Sequence, residues 1–480
     1  MTKTAAILGG GVIGGGWAAR FLLMGWDVRV FDPSPTAEET LNAMLGRARK
    51  ALPALYDVAL PAEGNLSFHE TISEAVEGAV WIQESAPERL ELKQKLYQQV
   101  QSVCDPDAII GSSTSGFMPS ELQNCATRPE QIIVAHPFNP VYLLPLIELV
   151  GSEKTDPATL DRAKELLETV GLFPLKVRQE IPAHIADRFL EAVWREALWL
   201  IKDGIATTEE IDDAIRMGFG LRWGQMGLFE TYRVAGGPAG MAHFISQFGP
   251  ALEWPWTKLM DVPELTDELI EMIASQSDAQ SGHLSIAELE SLRDGNLIGM
   301  MRSLKARGSA VGKVLADHEK SIEPAMPDLM VPMVTLDRQV PTDWVDGNGH
   351  MNESRYVQAM SEASDRFLLW IGTTPDYIAT QGSWFTVENH VRYLAEVMIG
   401  DRITATTQVL EAKGKKLKLF YTIRCNGEVA ATVEQLLIHV DMQTRRAAEP
   451  PAEMADLLTR IAQAHAGFGV PDGAGGTGRR

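Results

Sequence analysis

Three things are scarce in this chain of 480 residues: cysteine, basic side chains and long apolar runs. Its 3 cysteines, Cys104, Cys125 and Cys425, lack metal-ligand spacing and cannot all pair, which favours a reducing compartment. The 64 acidic residues outnumber the 43 basic ones, and the net charge of −21 argues against nucleic acid or an anionic membrane as a partner. No apolar run approaches the roughly 18 residues of a membrane-spanning helix, and the first residues lack a signal-peptide pattern. We therefore expect a soluble, cytoplasmic protein without a metal site.

The most informative motif lies in residues 4–32, where an apolar run, a glycine-rich turn, an apolar helical segment and a second apolar run follow one another. In such a strand–turn–helix–strand unit, the glycines allow a tight turn and let a pyrophosphate approach the backbone. The helix start offers N–H groups to phosphates, and the acid that ends the second run can bind a ribose and would repel a 2′-phosphate. The motif therefore predicts that the chain binds NAD rather than NADP. The predicted contacts are Gly9, Gly10, Gly11, Val12, Ile13, Gly14, Gly15 and Asp32.

The residues after this unit alternate between helical and strand patterns up to about residue 181. Short apolar runs at 80–84, 108–112, 132–135 and 146–150 are typical of buried strands, and 91–103 has the pattern of a helix. Alternating strands and helices predict an α/β fold with a parallel, doubly wound sheet. Ligands in such folds bind at the carboxyl ends of the strands.

Three polar residues lie at these predicted strands. Ser115 follows one strand, His136 follows the next, and Glu148 lies inside the apolar run LIELV. A histidine held by a carboxylate keeps one tautomer and can accept a hydroxyl proton. The serine could instead belong to a helix cap or turn, and the histidine and glutamate could form a buried structural pair. The dinucleotide motif in the same predicted domain favours a catalytic role for these three residues over a structural one.

Residues 1–318 resemble the 3-hydroxyacyl-CoA dehydrogenase family in the spacing of SSTSG, HPFNP and IELV. The resemblance implies that Ser115 binds the substrate oxygen, His136 is the general base and Glu148 orients it. It also implies that Glu88 and Lys93, in APERLELK, contact the cofactor. Helical spacing from residue 182 to about 318 predicts an all-helical domain after the α/β domain.

One position departs from this family. Where the family has an asparagine in an I-x-N-R element, the sequence reads IADR, with Asp187 at that place. An ionised aspartate cannot donate a hydrogen bond to a carbonyl, but it suits a substrate with a nearby positive charge. The region is most similar to a branch of the family that oxidises a small 3-hydroxy acid bearing a trimethylammonium group. An ordinary 3-hydroxyacyl-CoA is the alternative substrate.

Aromatic residues are frequent in the predicted helical domain. Aromatic faces attract quaternary ammonium groups, although packing between helices explains most such residues equally well. The candidates for an aromatic cage are Trp194, Trp199, Phe219, Trp223, Phe229 and Tyr232.

After a proline-rich linker the pattern changes to alternating strands around one long helix within residues 352–372. This arrangement resembles the hotdog fold, and DWVDGNGHMN resembles acyl-CoA thioesterases of the 4-hydroxybenzoyl-CoA type. The resemblance implies that Asp346 is the nucleophile or general base and that His350 and Asn352 shape the thioester site. Glu362 is an alternative base, and an acyl-CoA binding module without catalysis is an alternative function. The predicted strands are 333–340, 384–393, 402–410, 417–424 and 429–440.

These patterns predict a chain with two activities, and the resemblance implies a second copy of the chain as a partner, because the resembling families dimerise. The substrates expected from both halves are small molecules that carry a quaternary ammonium. The predicted segments are a NAD-binding Rossmann domain at 1–181, a helical substrate and dimerisation domain at 182–318, a linker at 319–332, a hotdog domain at 333–445 and a flexible tail at 446–480.

Overall fold

The computed structural model describes residues 2–124, 126–248, 257–258 and 261–477. Cys125 lies outside these residues, and Cys104 and Cys425 are both free thiols. The chain forms two compact units, which are described separately. The first unit contains residues 1–51 and 62–318, and the second contains residues 52–61 and 319–480. Within the described residues, no helix is long and apolar enough to cross a membrane.

An eight-stranded sheet forms the centre of the first unit, with the order β3-β2-β1-β4-β5-β6-β7-β8. Its pairs are parallel except for β6 and β7, which run antiparallel. This Rossmann-type architecture confirms the α/β fold predicted from the alternating pattern. The strands are β1 Thr4–Leu8, β2 Asp27–Phe31, β3 Leu66–Phe68, β4 Trp81–Glu84, β5 Ile109–Ser112, β6 Ile132–Pro137, β7 Leu146–Val150 and β8 Phe173–Lys176.

Helices connect these strands because parallel neighbours need a crossover. The residues of β4, β5 and β6 are all buried, which explains why their sequences are apolar runs without alternation. The helices of this α/β region are α1 Val12–Leu23, α2 Ala37–Ala51, α3 Ile72–Val76, α4 Leu90–Gln101, α5 Pro119–Leu122 and α6 Pro157–Glu168.

The rest of the first unit is helical, as predicted. Thr207 and Glu210 form a capping box at the start of the second of these helices. Gly227, with φ of +69°, kinks the third. The helices are α7 Ala186–Lys202, α8 Thr208–Ala214, α9 Gly220–Ala235, α10 Gly240–Phe248, α11 Asp267–Ser281, α12 Ile286–Arg307 and α13 Val311–Ser321.

The second unit wraps an antiparallel sheet around one long helix, which confirms the hotdog fold. The sheet order is β10-β13-β12-β11-β9, and a short β14 also pairs with β13. The buried side of the helix, including Tyr356, Met360 and Phe367, packs into the apolar core of the unit. The strands are β9 Met333–Gln339, β10 Ser383–Tyr393, β11 Arg402–Lys413, β12 Lys416–Cys425, β13 Glu428–Asp441 and β14 Arg446–Ala447. The helices are α14 Glu353–Trp370, α15 Pro375–Thr380 and α16 Ala452–Ala466.

Residues 452–466 form a helix in the segment where the sequence predicted a flexible tail. Helix α16 buries Met454, Leu458 and Ile461 and packs against β11. Beyond it, the buried carboxylate of Glu434 accepts hydrogen bonds from the backbone N–H groups of residues 475–477 and from the Thr477 hydroxyl. Burial raises the pKa of Glu434, but these hydrogen bonds outweigh it and lower the pKa to about 2. The glycine-rich composition suggested disorder because it carries no sign of this distant carboxylate.

Arg338 is a buried arginine of the second unit, and its guanidinium has several close partners. Arg338 of β9 has no exposed side-chain surface, and its Nη1 lies 2.7 Å from a carboxylate oxygen of Asp57 and 2.9 Å from one of Glu362. Its guanidinium also lies over the Trp344 ring, 4.4 Å from the centroid. Two carboxylates and an aromatic face together compensate the arginine for its lost hydration.

Candidate active sites

The glycine turn between β1 and α1 has the geometry of a phosphate cradle. Gly9 has φ of +102°, and a Cβ there would lie 2.7 Å from the carbonyl oxygen of Ser85. A Cβ on Gly14 would lie within 1.8 Å of the Gly9 carbonyl oxygen, so that only glycine lets the helix approach the strand. By contrast, among the described residues and apart from its chain neighbours, no atom lies within 4 Å of the Cβ position of Gly11, the N-cap of α1. Open space at the start of a helix fits a pyrophosphate.

Asp32 follows β2 and is attached to this turn. Its Oδ2 accepts the N–H of Gly10 at 2.6 Å, and its Oδ1 accepts the N–H of Ser34 at 2.7 Å. The carboxylate is therefore fixed beside the cradle, at the position expected for a ribose contact. These features fit NAD, whose adenosine ribose would lie against Asp32 and whose pyrophosphate would lie against the start of α1.

The predicted residues Glu88 and Lys93 belong to one network, in which Lys93 is buried and Glu88 is exposed. Lys93 is 1 % exposed, and its Nζ lies 2.7 Å from Glu84 and 3.2 Å from Glu88. Glu84 also accepts the hydroxyls of Tyr97 and Ser112, each at 2.6 Å. Lys93 thus compensates a buried carboxylate at the strand ends, and Glu88 extends from this network to accept the hydroxyl of Thr114.

Ser115, His136 and Glu148 meet at the same edge of the sheet. The Nδ1 of His136 lies 3.0 Å from the carboxylate of Glu148, and its Nε2 lies 3.3 Å from the Ser115 hydroxyl. Because β6 and β7 are antiparallel neighbours, His136 and Glu148 are directly opposite each other. A carboxylate accepts only, so Nδ1 donates to it and Nε2 carries the lone pair. This arrangement can remove a proton from a hydroxyl that lies beside Ser115.

Glu148 also fixes the start of α7. Its second oxygen accepts the N–H groups of Ile185 and Ala186 at 2.9 and 3.0 Å. Burial raises the pKa of Glu148, but the hydrogen bonds from His136 and from the two N–H groups outweigh it, and the pKa lies below its usual value. Glu148 therefore stays ionised and holds both the base and the helix that carries the next residue of the site.

Asp187 lies in the first turn of α7, with its Oδ2 3.7 Å from the Nε2 of His136. Burial raises its pKa, and the nearby charge of Glu148 raises it further, whereas His136 lowers it. The side chain is 20 % exposed. A carboxylate thus faces the position from which His136 would take a proton.

His184, which no sequence motif singled out, lies in the same site. Its ring centroid lies 5.5 Å from that of His136, and it has no exposed surface. Its Nε2 donates to the Thr114 carbonyl at 3.3 Å, while its Nδ1 has no hydrogen-bond partner among the described residues. Burial and the neighbouring His136 both lower its pKa, so that His184 is neutral. Its backbone has φ of +49°, and no pattern in the neighbouring sequence predicts this left-handed conformation.

The aromatic residues proposed for a cage are spread over several contacts. Trp199 lies under the ammonium groups of Lys202 and Lys258, 4.4 and 3.9 Å from its centroid. Phe219 packs on Trp223 at 4.6 Å, and Tyr232 stacks on Phe244. Trp194 and Phe229 are 61 % and 68 % exposed. Their described ring contacts do not join them into one cage.

In the second unit, Asp346 lies in the loop that precedes α14. Its Oδ1 accepts the N–H of Asn348 at 2.8 Å, which fixes the turn. Asn352 caps the helix, because its side-chain oxygen accepts the N–H of Ser354 at 3.0 Å. The Nε2 of His350 lies 3.3 Å from the carboxylate of Glu396. Asp346 and His350 line a cavity of about 390 Å³ at the start of the helix.

Glu362, the alternative base, lies in the ion pair with Arg338 and accepts a hydrogen bond from Gln358 at 3.1 Å. Burial raises its pKa, although Arg338 opposes the shift. Asp346 lines the cavity, whereas Glu362 is held by a buried arginine. This difference favours Asp346 for chemistry on a ligand in the cavity.

Three family models match the chain. Two of them cover the residues of the first candidate site, and the third covers those of the second. Residues 4–181 match the 3-hydroxyacyl-CoA dehydrogenase NAD binding domain, and residues 184–270 match the C-terminal domain of that family. Residues 340–458 match the thioesterase-like superfamily.

The chain is also similar to individual proteins and to solved structures. The L-carnitine dehydrogenase/betainyl-CoA thioesterase of Ruegeria pomeroyi is 61 % identical over 99 % of both chains. The L-carnitine dehydrogenase of Pseudomonas putida is 52 % identical over 66 % of this chain and 98 % of its own. A crystal structure of 5-formyl-3-hydroxy-2-methylpyridine 4-carboxylic acid 5-dehydrogenase, an NAD⁺-dependent dismutase, has a TM-score of 0.54 and 27 % identity over 64 % of this chain and 99 % of that one.

Proposed function

Because the chain belongs to the family of the L-carnitine dehydrogenase/betainyl-CoA thioesterases, we propose that it catalyses both reactions that this name joins. The first unit oxidises L-carnitine to 3-dehydrocarnitine with NAD. The second hydrolyses betainyl-CoA to glycine betaine and CoA. The observation that carries the first assignment is the geometry of Ser115, His136 and Glu148 beside the glycine cradle.

In the oxidation, NAD held by the glycine cradle and Asp32 would supply the hydride acceptor for the carbinol carbon of the substrate. We propose that Ser115 donates a hydrogen bond to the substrate oxygen and that the Nε2 of His136 takes the hydroxyl proton. Glu148 stabilises the resulting imidazolium through Nδ1, and its depressed pKa supports this role. The products are the ketone, the reduced cofactor and a proton that leaves by way of His136.

In the hydrolysis, we propose that Asp346 attacks the thioester carbonyl or activates water to attack it. The start of α14 lines the same cavity, and the positive end of its dipole would stabilise the developing oxyanion. If Asp346 is the nucleophile, the C–S bond breaks, the CoA thiolate takes a proton from solvent, and water then hydrolyses the acyl–aspartate anhydride to release the acid. If Asp346 is the base, the attacking water forms the acid directly as the C–S bond breaks, and the proton that Asp346 accepted passes to the CoA thiolate. His350, also on the cavity wall, helps to shape the thioester site, and Asn352 holds the first turn of the helix in place.

Two assays on the full-length protein test the assignment. With NAD, L-carnitine is expected to give NADH at a higher kcat/KM than 3-hydroxybutyryl-CoA, the substrate type of the alternative family members. With betainyl-CoA, free thiol is expected to appear without NAD. Turnover of 3-hydroxybutyryl-CoA without turnover of L-carnitine would instead assign the first unit to ordinary acyl-CoA oxidation.

Asp187 is proposed to bind the quaternary ammonium of L-carnitine. In this substrate the nitrogen lies two bonds from the carbinol carbon, so an oxygen held by His136 brings the ammonium towards a carboxylate 3.7 Å from Nε2. Asp187→Asn restores the amide of the wider family and removes the charge. It is expected to lower kcat/KM for L-carnitine by about 10- to 100-fold, as loss of one close charge pair implies.

The neutral isostere 3-hydroxy-5,5-dimethylhexanoate separates this role from an effect on the base. Its oxidation is expected to change little in Asp187→Asn, because it carries no ammonium. Glu191→Gln makes the same change of charge on the exposed side of α7 and serves as the matched control. An equal loss with both substrates would show that Asp187 acts on His136 instead of on the ammonium.

We propose that the protein is a homodimer. Large apolar side chains are exposed on α7 and α9, including Phe189, Leu190, Trp194 and Phe229 at 55 %, 57 %, 61 % and 68 %. Exposed apolar surface of this kind is typical of interaction sites. A solution mass of one chain, measured by light scattering, would contradict the proposal.

We also propose a cytoplasmic location. Both reactions use soluble cofactors of central metabolism, NAD and CoA, and the free thiols of Cys104 and Cys425 suit a reducing compartment. Recovery of both activities in the membrane or periplasmic fraction of cells would contradict it.

A further inference from the structure

The cavity beside Asp346 has a wall of two tyrosines. Tyr356 of α14 and Tyr393 at the end of β10 lie with their ring centroids 5.3 Å apart and their planes at 81°. Each hydroxyl is bound to a backbone carbonyl, that of Ala395 at 3.2 Å and that of Glu353 at 3.3 Å. The hydroxyls are thus fixed on the backbone, and the rings have defined positions in the wall. Tyr356 is buried, whereas Tyr393 is 49 % exposed and accessible to a ligand.

The charged side chains of the cavity are mostly of one sign. Asp346, Glu353 and Glu396 contribute carboxylates, and His350 is the basic side chain among the lining residues. His350 lies beside Glu396, with 3.3 Å between Nε2 and the carboxylate oxygen. A cation that enters the cavity is therefore attracted by its walls, whereas an anion such as a CoA phosphate is repelled and must lie outside.

A quaternary ammonium needs this combination of groups. It has no N–H to donate, so a protein binds it by aromatic faces and by negative charge at a short distance. In the betainyl group, one carbon separates the nitrogen from the thioester carbonyl. A cavity that holds the carbonyl beside Asp346 must hold the trimethylammonium as well.

We propose that Tyr356, Tyr393 and Glu353 select thioesters whose acyl group carries a quaternary ammonium. This inference rests on the proposed thioesterase function and adds to it the side chains that recognise the acyl group. Asp346 performs the chemistry, and the tyrosines determine which acyl group reaches it. The sequence pattern did not reveal this set, because Tyr393 and Tyr356 are distant in the chain and Tyr356 had only the spacing of a core residue.

The test compares betainyl-CoA with 3,3-dimethylbutyryl-CoA, which has the same shape but a carbon in place of the charged nitrogen. The full-length protein is expected to prefer betainyl-CoA by about 10-fold or more in kcat/KM. Tyr393→Leu is expected to lower kcat/KM for betainyl-CoA by about 10-fold while activity on the neutral isostere stays within about twofold. Tyr393→Phe keeps the ring face and is expected to rescue the preference.

Phe385→Leu provides a matched control, because Phe385 is a 41 % exposed aromatic residue of the same strand that does not line the described cavity. Activity on the neutral isostere reports that the second unit is folded in every variant. An equal loss of both activities in Tyr393→Leu, or no preference in the unchanged protein, would overturn the selection role and leave the thioesterase assignment intact. Hydrolysis of neither substrate by the unchanged protein would overturn the thioesterase assignment itself.

Discussion

Replacement of His136 by glutamine is expected to reduce kcat for L-carnitine oxidation by about 10²- to 10⁴-fold, the contribution typical of a general base. Glutamine can still donate a hydrogen bond to Glu148, but its amide cannot accept the hydroxyl proton at neutral pH. The KM for NAD is expected to change little, because the glycine cradle and Asp32 belong to other segments of the sheet. Initial rates of NADH formation measure both quantities.

The two activities on one chain supply an internal control for this variant. Hydrolysis of betainyl-CoA by His136→Gln is expected to equal that of the unchanged protein, which would show that the chain is folded. His69→Gln, at a partly exposed histidine whose Nε2 is hydrogen-bonded to the Ser67 hydroxyl, controls for the substitution itself. If His136→Gln kept the full rate of oxidation, Nε2 would not be the proton acceptor and the proposed mechanism would be wrong.

The second large effect is expected from Asp346→Asn. Loss of the carboxylate should reduce release of CoA from betainyl-CoA by about 10²- to 10⁴-fold, whether it acts as nucleophile or as general base. The asparagine oxygen can still accept the N–H of Asn348, so the turn before α14 is preserved. Thiol release measures the effect, and oxidation of L-carnitine should be unchanged.

Two further variants make this result decisive. Asp346→Ala repeats the test without an amide, which is useful because an asparagine followed by Gly347 can deamidate back to aspartate. Glu362→Gln tests the alternative base. Its carboxylate is held by Arg338, so we expect the variant to lose stability and to retain thiol release per folded molecule. Loss of activity in Glu362→Gln with activity retained in Asp346→Ala would transfer the catalytic role to Glu362.

The features that could be predicted from the sequence are those with local signals. The spacing of Gly9 and Gly14 reflects a close approach within five residues. The apolar run 146–150 coincides with the observed strand Leu146–Val150, in which all residues but the first are buried. The long helix of the second unit was visible from its spacing, and it begins at Glu353 after the Asn352 cap.

The rest depends on contacts between distant residues. His184 enters the dehydrogenase site through a left-handed backbone conformation, and Lys93 is buried by Glu84, which local sequence does not reveal. Helix α16 precedes a glycine-rich end of the chain, whose composition resembles that of a disordered tail. The apolar side chains of α16 are buried against β11, and the local sequence does not show this contact. For these residues, contacts between distant parts of the chain determine the conformation and the burial, and composition alone does not predict them.

The second unit is discontinuous in sequence, and this limits how it can be moved between proteins. A fragment that began at residue 319 would omit residues 52–61, which belong to the same compact unit. Arg338, buried on β9, would lose Asp57 and keep Glu362 as the remaining carboxylate of the pair described above. The thioesterase unit therefore cannot be transferred intact as one continuous fragment. Its transfer requires two separate pieces of the chain.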